Sequence, residues 1–186
     1  MAVLEFDITS PPTQRNRLSV GLRIFYAIPH LILAYVWQYL AQILALLQWF
    51  VVLFTGKRNQ GMWNMQQQFL LYYGRVLGYI DLLYDEPYPP FGTDAGAVPV
   101  RQSLEFEQQA NRLTCALRFL WIIPAAIISI FVGIWSGVLM IVSWFSIVLT
   151  GKQSPTMYDF IKRAARFHLQ VQAYGFLMTD TYPKFS

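Results

Sequence analysis

The sequence has little charge, one cysteine and none of the usual signatures of a catalytic site. Charged residues make up 13% of the 186 residues, against roughly 25% in soluble globular proteins. Cys115 lies in an apolar stretch, so no intrachain disulfide is expected and nothing indicates an oxidising compartment. The first residues are polar and include Glu5 and Asp7. Because an apolar core is missing there, we do not expect a secretory signal peptide.

Charge is absent altogether from two long segments. Residues 24–56 and 119–151 each run for 33 positions without Asp, Glu, Lys or Arg. Stretches of about 18 or more apolar residues are typical of membrane segments, and the polar remainder is too small to cover both in a soluble core. We therefore expect an integral membrane protein. The net charge is +4, and we expect the basic residues to bind anionic lipids and not nucleic acid.

The two segments belong to a tandem repeat with a constant offset of 95 residues. Matching pairs are Asn16-Arg17-Leu18 with Asn111-Arg112-Leu113, Ile28-Pro29 with Ile123-Pro124, Trp49-Phe50 with Trp144-Phe145, and Thr55-Gly56-Lys57 with Thr150-Gly151-Lys152. Such repeats predict one structural unit formed twice. We expect a cytoplasmic N-terminal tail at 1–14, membrane repeat 1 at 15–91, a flexible linker at 92–105 and membrane repeat 2 at 106–186.

The repeated motifs also carry a family resemblance. The order of Ile28-Pro29-His30, the segment 49–57 and Tyr88-Pro89-Pro90-Phe91 resembles the bacterial integral membrane family called domain of unknown function 4389, once per half. In the second half Ala125 replaces His30, and Lys184 replaces the second proline of the closing motif. The resemblance implies a membrane fold but no activity.

The basic residues distinguish two topologies. One helix through each 33-residue run would be about 50 Å long, against a hydrocarbon core of about 30 Å. With a single span per half, eight basic residues lie on one side and six on the other, whereas with helical hairpins all 14 lie on one side, as the positive-inside rule favours. We therefore predict hairpins, either full spans or shallow ones, with turns near 37–39 and 133–137. Arg23 and Arg118 are then expected to extend to the interface.

The predicted fold class is an all-α integral membrane protein. It is a tandem repeat of two transmembrane helical hairpins, each followed by an amphipathic interfacial helix, at Met62–Tyr84 and Thr156–Met178. Both termini are expected on the cytoplasmic side of the bacterial cell membrane. The Gly-Lys pairs at 56–57 and 151–152 indicate helix ends capped by glycine in preference to a phosphate site.

No catalytic, cofactor or metal site is predicted. His30 and His168 occupy different repeat positions, and neither has a Cys, Asp or Glu at metal-ligand spacing. No carboxylate lies inside either charge-free run, so a proton or ion pathway has no candidate residue. The carboxylates near the Tyr-Pro turns are expected to cap helices or to pair with Arg75 or Arg166; they are Asp81, Asp85, Glu86 and Asp180.

The leading functional hypothesis is a non-catalytic accessory or scaffold subunit of a larger membrane complex, such as one that transports lipid. Its candidate packing or partner face consists of Gln38, Gln42, Gln48, Gly133, Gly137 and Ser143. The alternative is a membrane-shaping or anionic-lipid-binding hairpin protein. Its candidate head-group contacts are Lys57, Arg58, Lys152, Lys162, Arg163 and Arg166. A small transporter or an enzyme is less favoured, because no converging polar residues are evident.

Overall fold

The computed structural model describes residues 2–9, 15–94 and 96–185. Its elements, in chain order, are β1 (Glu5–Ile8), α1 (Arg17–Thr55), α2 (Gln60–Ile80), β2 (Val100–Ser103), α3 (Arg112–Ala116), α4 (Arg118–Thr150) and α5 (Pro155–Gly175). The described part of the chain is therefore mostly helical, with one long and one shorter helix in each half and the five-residue α3 just before α4.

The long helices begin and end at repeated residues. Asn16 caps the start of α1 by accepting a hydrogen bond from a backbone N–H with its side chain, and Asn111 does the same for α3, which leads into α4 after one residue. Gly56 and Gly151 follow the last residues of α1 and α4 with φ of 70° and 74°, a left-handed conformation that glycine adopts without steric penalty. The predicted glycine caps are thus confirmed.

The predicted hairpin turns are not present. Residues 37–39 lie inside α1 and residues 133–137 lie inside α4, and both helices continue through them. Neither site has a proline, and α4 accommodates both glycines, so each backbone N–H keeps its partner four residues earlier and helix propagation is favoured. Pro29 and Pro124 also lie within helices. Each half forms instead a helical pair made of one long helix and the shorter helix that follows.

The two halves contact each other reciprocally, and α1 runs antiparallel to α4. The indole N–H of Trp49, near the end of α1, donates to the carbonyl of Cys115 at 2.9 Å. The equivalent Trp144, near the end of α4, donates to the carbonyl of Val20 at 3.0 Å. Since both donors and both acceptors are 95 residues apart, the halves are related by a pseudo-two-fold axis.

The axis passes between the shorter helices. The hydroxyl of Tyr73 and Nε2 of His168, which occupy equivalent repeat positions, are 3.4 Å apart. On either side, Trp63 donates to the carbonyl of Met178 and Tyr158 donates to that of Leu83, both at 3.1 Å. These last contacts are again exchanged between equivalent positions.

A two-stranded sheet covers α2 and α5 on the side away from α1 and α4. Strand β1 pairs antiparallel with β2, from Glu5 opposite Ser103 to Ile8 opposite Val100. The inner residues Leu4, Phe6 and Ile8 are buried in the main core, with residues of α2 and α5. The prediction of an all-α chain missed this sheet, whose strands lie in the segments expected to be a tail and a linker.

The shorter helices form close to their predicted positions, but they are interior elements of the fold. Helix α2 packs along α1, where the Gln66 amide donates to the carbonyl of Ala41 at 3.2 Å. Its opposite side faces the sheet, where Gly74 leaves room for the side chain of Gln102. Helix α5 is likewise held between α4 and β1. The molecule therefore has three layers: the long helices, the shorter helices and the sheet.

Candidate functional site: the apolar α1–α4 surface

The long helices expose an extensive apolar surface, which we call the α1–α4 surface. Both are long and apolar enough to cross a membrane, and only 17% and 11% of the residues in their most apolar 18-residue windows are buried. The most exposed apolar side chains include Phe25, Ile32, Ile43, Phe54, Phe119, Ile130, Phe131, Ile134 and Leu149. Soluble monomers rarely expose contiguous apolar patches larger than a few hundred Å². Larger exposed patches mark sites of protein–protein or membrane interaction, and this surface is the candidate site.

Two apolar grooves open between α1 and α4, one at each end of the helix pair. The first has a volume of about 290 Å³ and is lined in part by Ala27, Met140 and Trp144. The second has a volume of about 370 Å³ and is lined by residues that include Ile122 and Trp49. Ala27 and Ile122, and Trp144 and Trp49, are repeat equivalents, so one groove is the pseudo-symmetric copy of the other.

Beside the first groove, two arginines share one buried carboxylate. Oδ1 of Asp85 accepts from Nη1 of Arg15 at 2.7 Å and from Nη2 of Arg23 at 2.9 Å, and all three side chains are less than 10% exposed. Arg15 also donates to the carbonyl of Leu82 and to Gln153, and Arg23 donates to a backbone carbonyl of α2. We call these charged residues cluster 1.

Cluster 2 has the same arrangement at the other end, with one arginine from a different place in the chain. Oδ1 of Asp180 accepts from Nη2 of Arg118 at 2.7 Å and from Nη2 of Arg58 at 2.8 Å. Nε of Arg58 donates to the carbonyl of Leu177 at 2.6 Å. Arg58 belongs to the first half, so it crosses the pseudo-two-fold axis. The position equivalent to Arg15 is Ala110.

The clusters hold the end of each repeat against its beginning. Asp85 and Asp180 accept hydrogen bonds from the backbone N–H groups of Asn16 and Asn111, at 3.4 and 3.1 Å. Leu82, like its equivalent Leu177, has a left-handed φ near 60°, which leucine rarely adopts, and arginines bind both carbonyls. The buried charges thus fix the fold at both ends of the helix pair.

A family comparison supports the repeat that these contacts define. The family described as domain of unknown function 4389 matches residues 17–92 and 112–186. The chain belongs to this family. No curated protein and no solved structure matches the chain. Each DUF4389 copy contains one long helix, one shorter helix and the carboxylate of one cluster, and the second copy also contains α3.

The ion pairs of Asp85 and Asp180 differ from those expected. Asp85 and Asp180 bind the cluster arginines and not Arg75 or Arg166. Arg75 instead donates to backbone carbonyls of residues 92–94. Arg23 and Arg118 are buried in the clusters and do not extend to an interface. The two aspartates recur at an offset of 95, and this recurrence was the sequence signal for a shared role. The sequence did not identify their arginine partners, because these lie 62 or more residues away.

The histidines of the chain are held by aromatic and hydroxyl groups. Nδ1 of His30 lies 2.7 Å from the Tyr72 hydroxyl, and its ring stacks on Phe91 with centroids 4.2 Å apart. His168 bonds to Tyr73 on the pseudo-two-fold axis, and burial lowers its pKa and so favours the neutral ring. Among residues 2–9, 15–94 and 96–185, no cluster of His, Cys, Asp and Glu is suited to a metal ion.

The predicted packing face separates into internal and exposed parts. Gln48 is fully buried and binds both the N–H and the carbonyl of Asn59 before α2, and Ser143 is buried next to Met157. The remaining four residues lie along the middle of the long helices. Gln38 and Gln42 line the second groove, and a Cβ atom added at Gly133 or Gly137 would meet nothing within 4 Å.

The predicted head-group contacts also separate. Lys57 and Lys152 are exposed at the ends of α1 and α4. Arg58 is buried in cluster 2, so it is unavailable to lipid. Lys162 pairs with Asp7 of β1 at 3.1 Å, on the sheet side. Of the two remaining residues, Arg163 is exposed beside Phe185 and Arg166 is half-buried.

Proposed function

We propose that the protein is a non-catalytic scaffold subunit of a membrane complex in the bacterial cell membrane. The exposed α1–α4 surface carries this proposal, because it needs lipid or other membrane helices around it. A transport complex, including one that moves lipid, is the host that we expect. Ala2, which precedes β1, accepts a hydrogen bond from Thr179, which follows α5, and we assign the side of the molecule that carries the sheet to the cytoplasm.

The arrangement of the buried polar groups supports a structural role. In the described part of the chain, the buried arginines and aspartates of both clusters bind one another and backbone carbonyls that hold the fold. The grooves beside them are lined mainly by apolar side chains. A reaction would require polar groups that converge on a substrate, whereas these groups converge on each other.

Co-purification with matched variants tests the scaffold role. The chain should remain in the membrane fraction and should co-purify in mild detergent with partners at fixed stoichiometry. Gly133→Leu and Gly137→Leu enlarge the middle of α4, where an added Cβ meets no neighbour within 4 Å, so they should reduce partner recovery while the chain remains folded. Ser103→Leu, on the exposed face of β2, is the control. A monodisperse chain without partners would argue against the scaffold.

A second candidate function, anionic-lipid binding, is favoured by the charge at the rim of the α1–α4 surface. Four exposed basic residues lie at the two ends of the helix pair; they are Arg17, Lys57, Arg112 and Lys152. Basic residues near a membrane surface contribute about 1 kcal/mol each to binding anionic lipid. Lys57→Glu with Lys152→Glu should weaken binding to phosphatidylglycerol liposomes, and Lys162→Glu should have a smaller effect. Equal effects would contradict this assignment.

A further inference from the structure

We propose that α1 and α4 do not cross the bilayer but lie side by side in the plane of one leaflet, with the sheet in the aqueous phase. The α1–α4 surface outside the proposed partner face is therefore covered by the acyl chains of a single leaflet. This inference rests on the proposed membrane placement and specifies its geometry.

The position of the sheet along the helices is the first argument. Helix α5 contacts β1 and the residue before it: Gln170 donates to the carbonyl of Leu4, and Lys162 pairs with Asp7. Between these two contacts, His168 lies 3.3 Å from the hydroxyl of Ser129, which is in the interior of α4. The sheet therefore stands level with the middle of the long helices and not beyond one end.

A spanning orientation would place this sheet at the depth of the bilayer centre. The outward side chains of the sheet include Glu5 and Arg101, both exposed, and the Asp7 side chain, which is 63% exposed. A charged residue at the centre of a membrane helix costs about 3 kcal/mol on insertion scales. The two-stranded sheet would also present open edges, which do not occur in lipid. In-plane helices leave this whole layer in water.

The length and the charge of the helices agree with the in-plane orientation. Helix α1 has 39 residues and is about 58 Å long at 1.5 Å per residue, roughly twice the hydrocarbon thickness. Exposed basic residues lie at both of its ends, Arg17 and Lys152 at one and Lys57 and Arg112 at the other. A spanning helix pair would divide these charges between the two sides, against the positive-inside rule.

The pseudo-two-fold axis gives the same orientation. It runs through the contact between Tyr73 and His168 and relates α1 to the antiparallel α4. With the helices in the plane of the leaflet, the axis is along the membrane normal, so both repeats have the same depth and the same lipid environment. Two equivalent grooves then open toward the acyl chains of the same leaflet.

Cysteine labelling tests this orientation. Cys115→Val gives a cysteine-free background with the residue found at the equivalent position 20. Single cysteines replace Arg17 and Lys57, at opposite ends of α1, and Ser103 on the sheet. A membrane-impermeant maleimide is then added to spheroplasts or to sealed inverted membrane vesicles. Ile32→Cys, on the apolar surface, is the lipid-protected control.

All three polar positions should be labelled from the same side of the membrane, and Ile32→Cys should react only after detergent is added. Labelling of the Arg17 and Lys57 positions from opposite sides would overturn the in-plane orientation, as would protection of the Ser103 position in both preparations. A chain found in the soluble fraction after lysis would instead contradict the proposed membrane placement itself.

Discussion

Removal of one cluster carboxylate should destabilise the protein strongly. Asp85→Asn preserves the shape of the side chain but leaves Arg15 and Arg23 as two buried guanidinium groups without a counter-charge. Loss of one partner from a buried ion pair costs about 3–5 kcal/mol. For a chain of this size, each kcal/mol shifts Tm by about 2–4 °C, so we expect a fall of roughly 6–20 °C. Asp180→Asn should have an effect of the same size.

The control uses an exposed pair in the same protein. Asp7→Asn breaks the contact with Lys162, in which the Asp7 side chain is 63% exposed, and exposed ion pairs contribute about 0–1 kcal/mol. Thermal unfolding of the three variants in the same detergent, followed by circular dichroism, provides the comparison. If Tm of Asp85→Asn is within 2 °C of Tm of Asp7→Asn, the clusters do not stabilise the fold.

Three further predictions concern the repeat and its interior. Arg58→Gln should lower stability by about 2 kcal/mol because buried carbonyls lose a charged donor. Adding Ala110→Arg should restore much of this loss, since position 110 is the equivalent of position 15. A double variant no more stable than the single one would contradict the equivalence. Burial raises the pKa of Asp81 to about 7, so the folded state binds the carboxyl proton of Asp81 more tightly than the unfolded chain does. The contribution of Asp81 to stability therefore falls as the pH rises from about 4 to about 7. Asp81→Asn should therefore remove that part of the pH dependence and be more stable than wild type at pH 8 in chemical denaturation; identical pH profiles would contradict the raised pKa. Trp49→Phe and Trp144→Phe should each cost about 1 kcal/mol, the loss of one hydrogen bond, and unequal losses in thermal unfolding would argue against reciprocal contacts.

The sequence predicted the repeat, the helix ends and the apolar character of the long helices. These features have local signals: a constant offset, Gly56 and Gly151 after each helix, and two uncharged runs. The hairpin prediction was wrong because it assumed that an apolar helix of this length must turn to fit across a bilayer. Nothing near Trp37 breaks a helix, and an in-plane helix has no such length limit.

The sheet and the clusters depend on partners that are distant in the chain. The alternation of buried Phe6 and Ile8 with exposed Glu5 and Asp7 is a strand signal, but a four-residue strand is defined only by its partner, more than 90 residues later. Arg58 was predicted to bind lipid because it follows an expected membrane segment. Its actual partner, Asp180, is supplied by the other repeat.

The depth of successive positions along α1 distinguishes a helix in the plane of one leaflet from a helix that crosses the bilayer. Spin labels on cysteines at Phe25, Ile32, Ile43 and Phe50, in the Cys115→Val background, lie on one apolar face of the helix and span about 38 Å at 1.5 Å per residue. Relative accessibility to oxygen and to a water-soluble nickel complex gives the depth of each label in liposomes. The in-plane orientation predicts the same depth for all four labels. A profile that is shallow at Phe25 and Phe50 and deepest between them would show that the helix crosses the bilayer.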